Sequence, residues 1–165
     1  MLAEGHFFFD VSILERVKSL ELEKYQAIVL PDTKYLDAKT ASLIDAYVAK
    51  GGTLIASGEA GLCDDQLERR PSCALQSLGI GKVRGVRRDV RSALLEVDDK
   101  SAFPSMVDRD LVYFGDTFVF ADYADGGTGF LRYIPPHNFG PPERCYWTEE
   151  TDLPGLHLNP HGKGR

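Results

Sequence analysis

The stretch from Gln26 to Gly58, QAIVLPDTKYLDAKTASLIDAYVAKGGTLIASG, most narrows what this chain can fold into. QAIVLPD is a continuous aliphatic and β-branched run closed by a proline, the pattern of a strand buried on both faces. The next segment, LDAKTASLIDAYVAKGG, places Asp37 as a helix N-cap. Its Thr40, Leu43, Ile44, Tyr47 and Val48 recur at i, i+3, i+4, i+7 and i+8. Gly51 stands where a left-handed residue closes a helix, and TLIASG reads as a second buried strand. Strand, helix and strand in this rhythm predict a right-handed parallel crossover, hence a doubly wound parallel α/β sheet of the flavodoxin-like class. The strand tips at Pro31 and Asp32 and at Ser57 to Glu59 then lie at the carboxyl edge, where ligands bind in that class.

The flanking segments extend this expectation. HFFFDV reads as a further short apolar strand, SILERVKSLELEKY as a short helix and turn, and PSCALQSLGI as another short helix. Beyond about residue 82 the character changes. SALLEV, LVYFGDTFVFADY and FLRYIPP are aromatic and β-branched, with a turn signal at DGGTG, so the second half is expected to be β-rich. The expected organisation is one domain over 1–165, with an α/β part at 1–82 and a β-rich part at 83–165. The basic run VRGVRRDVR is expected to be a solvated strand or loop face. The opening MLAEG resembles the last turn of a helix and the closing NPHGKGR a turn leading onward. Both ends therefore read as cut, and the chain as a fragment whose HFFFDV edge would favour association.

Composition removes several function classes. The formal net charge of −6 over 165 residues argues against nucleic acid and anionic membrane as partners, because both would repel it. Cys63, Cys73 and Cys145 are odd in number and lack metal-ligand spacing, which points away from disulfides and zinc and toward a reducing cytoplasm. No apolar run is long enough to span a bilayer, and the start is not a signal peptide. No cofactor motif is present. GKGR lacks the spacing of a P-loop, and GIGKVRG follows a helix where a dinucleotide fingerprint follows a strand.

Two residues qualify as catalytic candidates. Cys63 comes several positions after the tight turn that a nucleophile elbow requires, and its neighbours Asp64 and Asp65 disfavour a thiolate. A partly buried structural cysteine is the plainer reading. Glu59 is better placed, because a carboxylate at a strand tip can serve as acid or base or bind a sugar hydroxyl. Its partner would be Asp32 from the neighbouring tip, since a glycosidase site needs two carboxylates on rigid elements. The plainer alternative is that Glu59 accepts backbone N–H bonds and orders its own loop. The histidines His6, His137, His157 and His161 show no metal-binding spacing. In the proline-rich PPHNFGPPERCYW, His137, Tyr146 and Trp147 are candidates for contact with a sugar or a neighbouring domain, with simple packing as the alternative.

Taken together, FFFDVSILERVKSLELEKYQAIVLPDTKYLDAKTASLIDAYVAKGGTLIASGEAGLCDD resembles the glutamine-amidotransferase-like trimerisation domain of bacterial beta-galactosidases. YQAIVLPD is similar to its second strand, and YLDAKTASLIDAYVAKGGTLIASGE to its helix, Gly-Gly turn and following strand. PPERCYWTEETDLPGLHLNPHGKGR resembles a stretch near the end of related glycoside hydrolases. The resemblance covers roughly the first 80 and last 30 residues. It implies a class I glutamine-amidotransferase-like fold without the amidotransferase nucleophile, and a further strand on each side of the chain. It also implies that the galactosidase carboxylates lie on a separate barrel. The expected role is therefore a non-catalytic accessory or oligomerisation domain of a glycoside hydrolase, partnered by copies of itself or by an adjacent barrel or both, with carbohydrate as a further candidate. The rivals are a small free-standing hydrolase or amidotransferase using Glu59 and Cys63, and a sugar-binding module.

Overall fold

A computed structural model describes residues 2–17, 21–136 and 151–165. The expected strand–helix–strand unit is present. Strand β1 (Ala27–Leu30) pairs in parallel with β2 (Thr53–Ala56), Ala27 opposite Thr53 and Leu30 opposite Ala56. A short helix α1 (Leu14–Val17) precedes them, and α2 (Ala38–Ala49) makes the crossover. Asp37 caps α2 by accepting the N–H groups of Lys39 and Thr40 at 3.1 and 3.0 Å, satisfying two donors that a helix start leaves open. Gly51 leaves the helix at φ +123°, a conformation that L side chains rarely adopt. Thr40, Ile44, Tyr47 and Val48 are buried as their spacing predicts, and Ala41 joins them. Leu43 lies at the rim of the stripe and stays 37% exposed. One core gathers Leu30, Leu36, Ile44, Tyr47, Val48, Leu54 and Leu75, with Leu14 and Leu22 packed against it.

The doubly wound, flavodoxin-like sheet does not form among the described residues: β1–β2 is the one pair of parallel strands there, accompanied only by an isolated parallel bridge between Tyr35 and Cys63. HFFFDV is no strand. Residues 7–13 run without regular structure, and Phe7, Phe8 and Phe9 are 66, 107 and 50% exposed. A strand exists only by pairing, and among the described residues these have no ladder partner. PSCALQSLGI contributes a single 3₁₀ turn at Gln76–Leu78, ended by Gly79 at φ +65°, which sends the chain directly into a strand. That is too short to cross back over a sheet.

The dominant element is an antiparallel sheet. Its strands are β3 (Ile80–Glu96), β4 (Leu111–Tyr123), β5 (Thr128–Ile134) and β6 (Pro154–Leu158), in spatial order β4-β3-β5-β6. Val90, Ala93, Leu95, Phe118 and Tyr133 make a second core, where Phe114 and Phe120 meet Tyr133 edge to face. The register of β3 on β4 shifts four times, including between Arg87 and Val90. Such bulges bend a strand and re-aim its side chains. The basic run VRGVRRDVR lies entirely on β3.

Residues 161–165 pack back onto the end of α2 and onto β2. His161 and Gly164 exchange backbone hydrogen bonds, Lys163 donates its N–H to Ala49 at the end of α2, and Arg165 pairs with Gly52 and Leu54 beside β2. Asn159 also reaches the Ser77 carbonyl at 3.0 Å, so the β-rich half is joined to the α/β half at several points.

Candidate functional site

The carboxyl edge of β1 and β2 brings Asp32 and Glu59 together, though through one backbone group. Asp32 follows β1 at φ +46°, and its carboxylate accepts the Glu59 N–H at 2.8 Å. Ser57 Oγ accepts the Asp32 N–H at 3.2 Å. Gly58 between them has φ +61°, and a Cβ there would strike the Asp32 carboxylate, so glycine is required for this close turn. The two strand tips are thereby locked to each other.

The Glu59 side chain points inward, with 1% of its surface exposed. Burying a carboxylate is unfavourable unless it is paired and hydrogen-bonded, and three cations meet this one. Arg88 takes it end to end, with Nε and Nη2 each donating at 2.6 Å to a separate oxygen. Lys34 Nζ lies 3.1 Å away and Arg69 Nη1 3.3 Å away. Arg88 occupies the β3 bulge between Arg87 and Val90, and this is what turns a strand residue toward the α/β unit. The guanidinium of Arg88, more than the Lys34 ammonium, holds the Glu59 carboxyl down to about 2 against burial, which pushes the other way. The reciprocal effect raises Lys34, chiefly through its hydrogen bond to Glu59.

Such a group is chemically quiet. A general acid must hold a proton near neutral pH, and a carboxyl at about 2 holds none. A general base must present a free lone pair, and both Glu59 oxygens are engaged. The expected backbone N–H donors to Glu59 are replaced by side-chain cations. The N–H acceptor in the turn is Asp32.

Cys63 sits beyond this cluster on extended backbone, bridged to Tyr35 and to Arg69. Its N–H goes to the Lys34 carbonyl at 3.0 Å. Cys63 and Cys73 are both free thiols. Cys73 packs against the first core, and burial raises its thiol. His137, Tyr146 and Trp147 lie outside the described residues, as does most of PPHNFGPPERCYW. Of the cluster around Glu59, the sequence singles out Asp32 and Glu59 as a pair. It does not single out Lys34, Arg69 or Arg88, although the basic run containing Arg88 was the available signal.

A concave feature lies on β5 and β6, a groove of about 330 Å³ lined by Asp98, Phe130, Arg132, Asp152 and His157 among others. Arg132 pairs with Glu96 at 3.0 Å and lies 3.6 Å from Asp98. His157 stacks on Tyr123 at 3.9 Å, and burial lowers its imidazole. Among the described residues no group of three or more His, Cys, Asp and Glu side chains is placed to hold a metal ion.

Comparison with known proteins gives this architecture its context. A search of curated proteins found no match. Among solved structures, a beta-galactosidase from Bacillus circulans sp. alkalophilus matches with TM-score 0.66 at 16% identity, over 88% of this chain and 20% of that one. A beta-galactosidase from Rahnella sp. R3 matches with TM-score 0.64 at 15% identity, over 88% and 20%. A catalytic mutant of a GH42 beta-galactosidase from G. stearothermophilus gives 0.62 at 15%, over 86% and 18%. At these identities the likeness is one of fold, and the chain spans about a fifth of the length of those structures. The family model described as the beta-galactosidase trimerisation domain matches residues 10–101, from the arm before α1 through β1, α2, β2 and the Glu59 cluster to the end of β3. The chain belongs to the beta-galactosidase trimerisation domain family, an accessory domain of glycoside hydrolases.

Proposed function

We propose that this chain is a non-catalytic part of a longer beta-galactosidase-like enzyme of carbohydrate metabolism, where it joins copies of the enzyme and braces a neighbouring barrel domain that carries the chemistry. The observation that supports this most is the state of Glu59. The carboxylate at the strand tips is sealed by Arg88, Lys34 and Arg69 and ties β3 to the α/β unit. It serves as a brace where an enzyme of this layout would keep a working acid or base. The rival hydrolase or amidotransferase reading needs Glu59 free and Cys63 activated, and the geometry favours neither. The free thiols Cys63 and Cys73 suit a reducing cytoplasm. The wider kinship with glutamine-amidotransferase-like proteins rests on the β1–α2–β2 unit alone.

The test is activity of the parent enzyme on a nitrophenyl galactoside. Cys63→Ala should leave kcat within a few-fold of the natural protein, and so should Glu59→Gln provided that its melt shows a folded population. A loss of about a thousandfold or more in kcat with folding preserved, the scale of a missing catalytic group, would overturn the reading. A sugar-binding role has one observation in its favour, the groove where Phe130 lies beside Asp98, Arg132, Asp152 and His157. Saturation-transfer NMR with galactose would decide that role, and absence of transfer would remove it.

A further inference from the structure

The buried Glu59 carboxylate fixes where three cations stand. Arg88 Nη2 and Arg69 Nη1 share its Oε2 at 2.6 and 3.3 Å, while Arg88 Nε and Lys34 Nζ share its Oε1 at 2.6 and 3.1 Å. Nitrogens that meet on one oxygen at such distances lie within about 6 Å of each other. Arginine and lysine side chains on a surface ordinarily sample many rotamers, and here that freedom is lost before any ligand arrives. Both Glu59 oxygens are engaged and the carboxylate is covered, so solvent meets the outer sides of the cations.

These cations keep donors in reserve. Among the described residues, the Arg69 side chain donates one hydrogen bond and the Arg88 side chain two, of the five N–H groups that each guanidinium carries. Three positive charges meet two carboxylates, Glu59 and Asp32, the second lying 3.5 Å from Lys34. One positive charge is left over, in a chain whose net charge is −6. Asp64, on the loop before Arg69, accepts the N–H groups of Gln66 and Glu68 at 2.9 Å and, among the described residues, pairs with none of the three cations. The strand tips add unused donors, since among the described residues no acceptor meets the N–H of Thr33 or of Gly58.

We propose that the carboxyl edge of β1 and β2 binds a phosphate group, held by the spare N–H donors of Arg69 and Arg88 and by Lys34, with Glu59 as the buried anchor that positions all three. A phosphate carries several acceptor oxygens on one centre, so a single group bridges donors at this spacing, and guanidinium forks match its geometry. Its second negative charge exceeds what a lone carboxylate would bring to the surplus of cations. Arg88 belongs to β3, whereas Lys34 and Arg69 belong to the α/β half. A phosphate held by both sides therefore adds a second bridge across the joint that Glu59 already closes. The site goes beyond the bracing role and stands whether or not the parent enzyme assembles. Inorganic phosphate and a phosphate ester are its two possible sources, since the cations read the phosphate group alone.

Equilibrium dialysis of labelled inorganic phosphate against the parent enzyme tests this, at neutral pH and an ionic strength held constant with chloride. Expected is about one phosphate per chain with a Kd of about 1 mM or tighter, unchanged by saturating galactose. Arg69→Gln and Lys34→Gln should each weaken binding at least about tenfold, the scale of a hydrogen bond to a charged group. Arg91→Gln removes the same formal charge from an exposed residue of β3 and should leave the Kd within about twofold. An unchanged kcat of the parent on the nitrophenyl galactoside shows that each variant is folded. Galactose 6-phosphate, competing in the presence of galactose, distinguishes the sources: affinity at least about tenfold above that of inorganic phosphate makes the ester the ligand, and similar affinity makes it the free ion. Absence of saturable binding overturns the proposal. So does equal weakening by Arg91→Gln, which makes the attraction a diffuse one, and so does displacement of phosphate by galactose, which assigns it to the sugar site of the parent.

Discussion

Replacing Glu59 with glutamine keeps the volume of the side chain and removes the charge around which Lys34, Arg69 and Arg88 are arranged. The natural carboxyl is lowered from 4.5 to about 2, which links it to at most ~3 kcal/mol of stability at neutral pH. Its partners are 30, 43 and 57% exposed, so water screens the pairing and rehydrates the cations once the carboxylate is gone. That brings the expected loss to about 2 kcal/mol, or a fall of about 4–8 °C in Tm for a domain of this size. The sign with pH follows from the lowered folded-state value. The stabilisation is fully present above about 4.5 and fades as pH falls toward 2. Urea melts of both proteins at pH 7 and pH 3 make the measurement, and the gap at pH 3 should be less than half of that at pH 7. A gap below about 0.5 kcal/mol at pH 7, the scale of an ordinary surface change, would refute the reasoning. So would a gap that does not shrink on acidification, because the loss would then come from packing.

Ile44→Ala should destabilise by roughly 2–5 kcal/mol, since Ile44 is 1% exposed in the first core, whereas Leu43→Ala at 37% exposure should lose under about 1 kcal/mol; denaturant midpoints compare them. Asp37→Ala removes the carboxylate oxygen that accepts two N–H groups at the start of α2 and should lose about 1 kcal/mol in the same assay. Cys73, raised by burial, should react with iodoacetamide at pH 8 far more slowly than a denatured control, and equal rates would contradict its placement in the core. Phe8→Ser should leave the melt of the 165-residue chain unchanged within about 0.5 kcal/mol, because the ring is fully exposed, and should improve its solubility.

Helix α2 was legible because every signal for it is local: a capping aspartate, a 3.6-residue stripe and a glycine stop lie within fifteen residues of one another. Leu43 shows the limit of that signal, since the stripe marks a face and not how far the core reaches around it. HFFFDV illustrates the opposite case. Its residues favour a strand, yet a strand is a pairing, and nothing in six residues states whether a neighbour is present. The doubly wound sheet failed for the same reason, because one crossover was extended to a whole sheet while the long strand β3 claimed the chain after Gly79. The tip carboxylates Asp32 and Glu59 were found from topology. Their surroundings were not, since Arg88 reaches Glu59 from 29 positions away through a bulge. The basic run reads as a solvated face, and Arg84 and Arg87 do pair with half-buried Asp122 and exposed Asp89. Arg88, itself 57% exposed, reaches the buried Glu59 carboxylate.

The most direct test of the account is the solution mass of the parent enzyme with and without the 165-residue segment. Sedimentation equilibrium should give a small-integer multiple of the chain mass for the intact protein and a single chain after deletion. An unchanged multiple after deletion, or an intact enzyme that is monomeric throughout, would contradict the claim that this domain joins the copies.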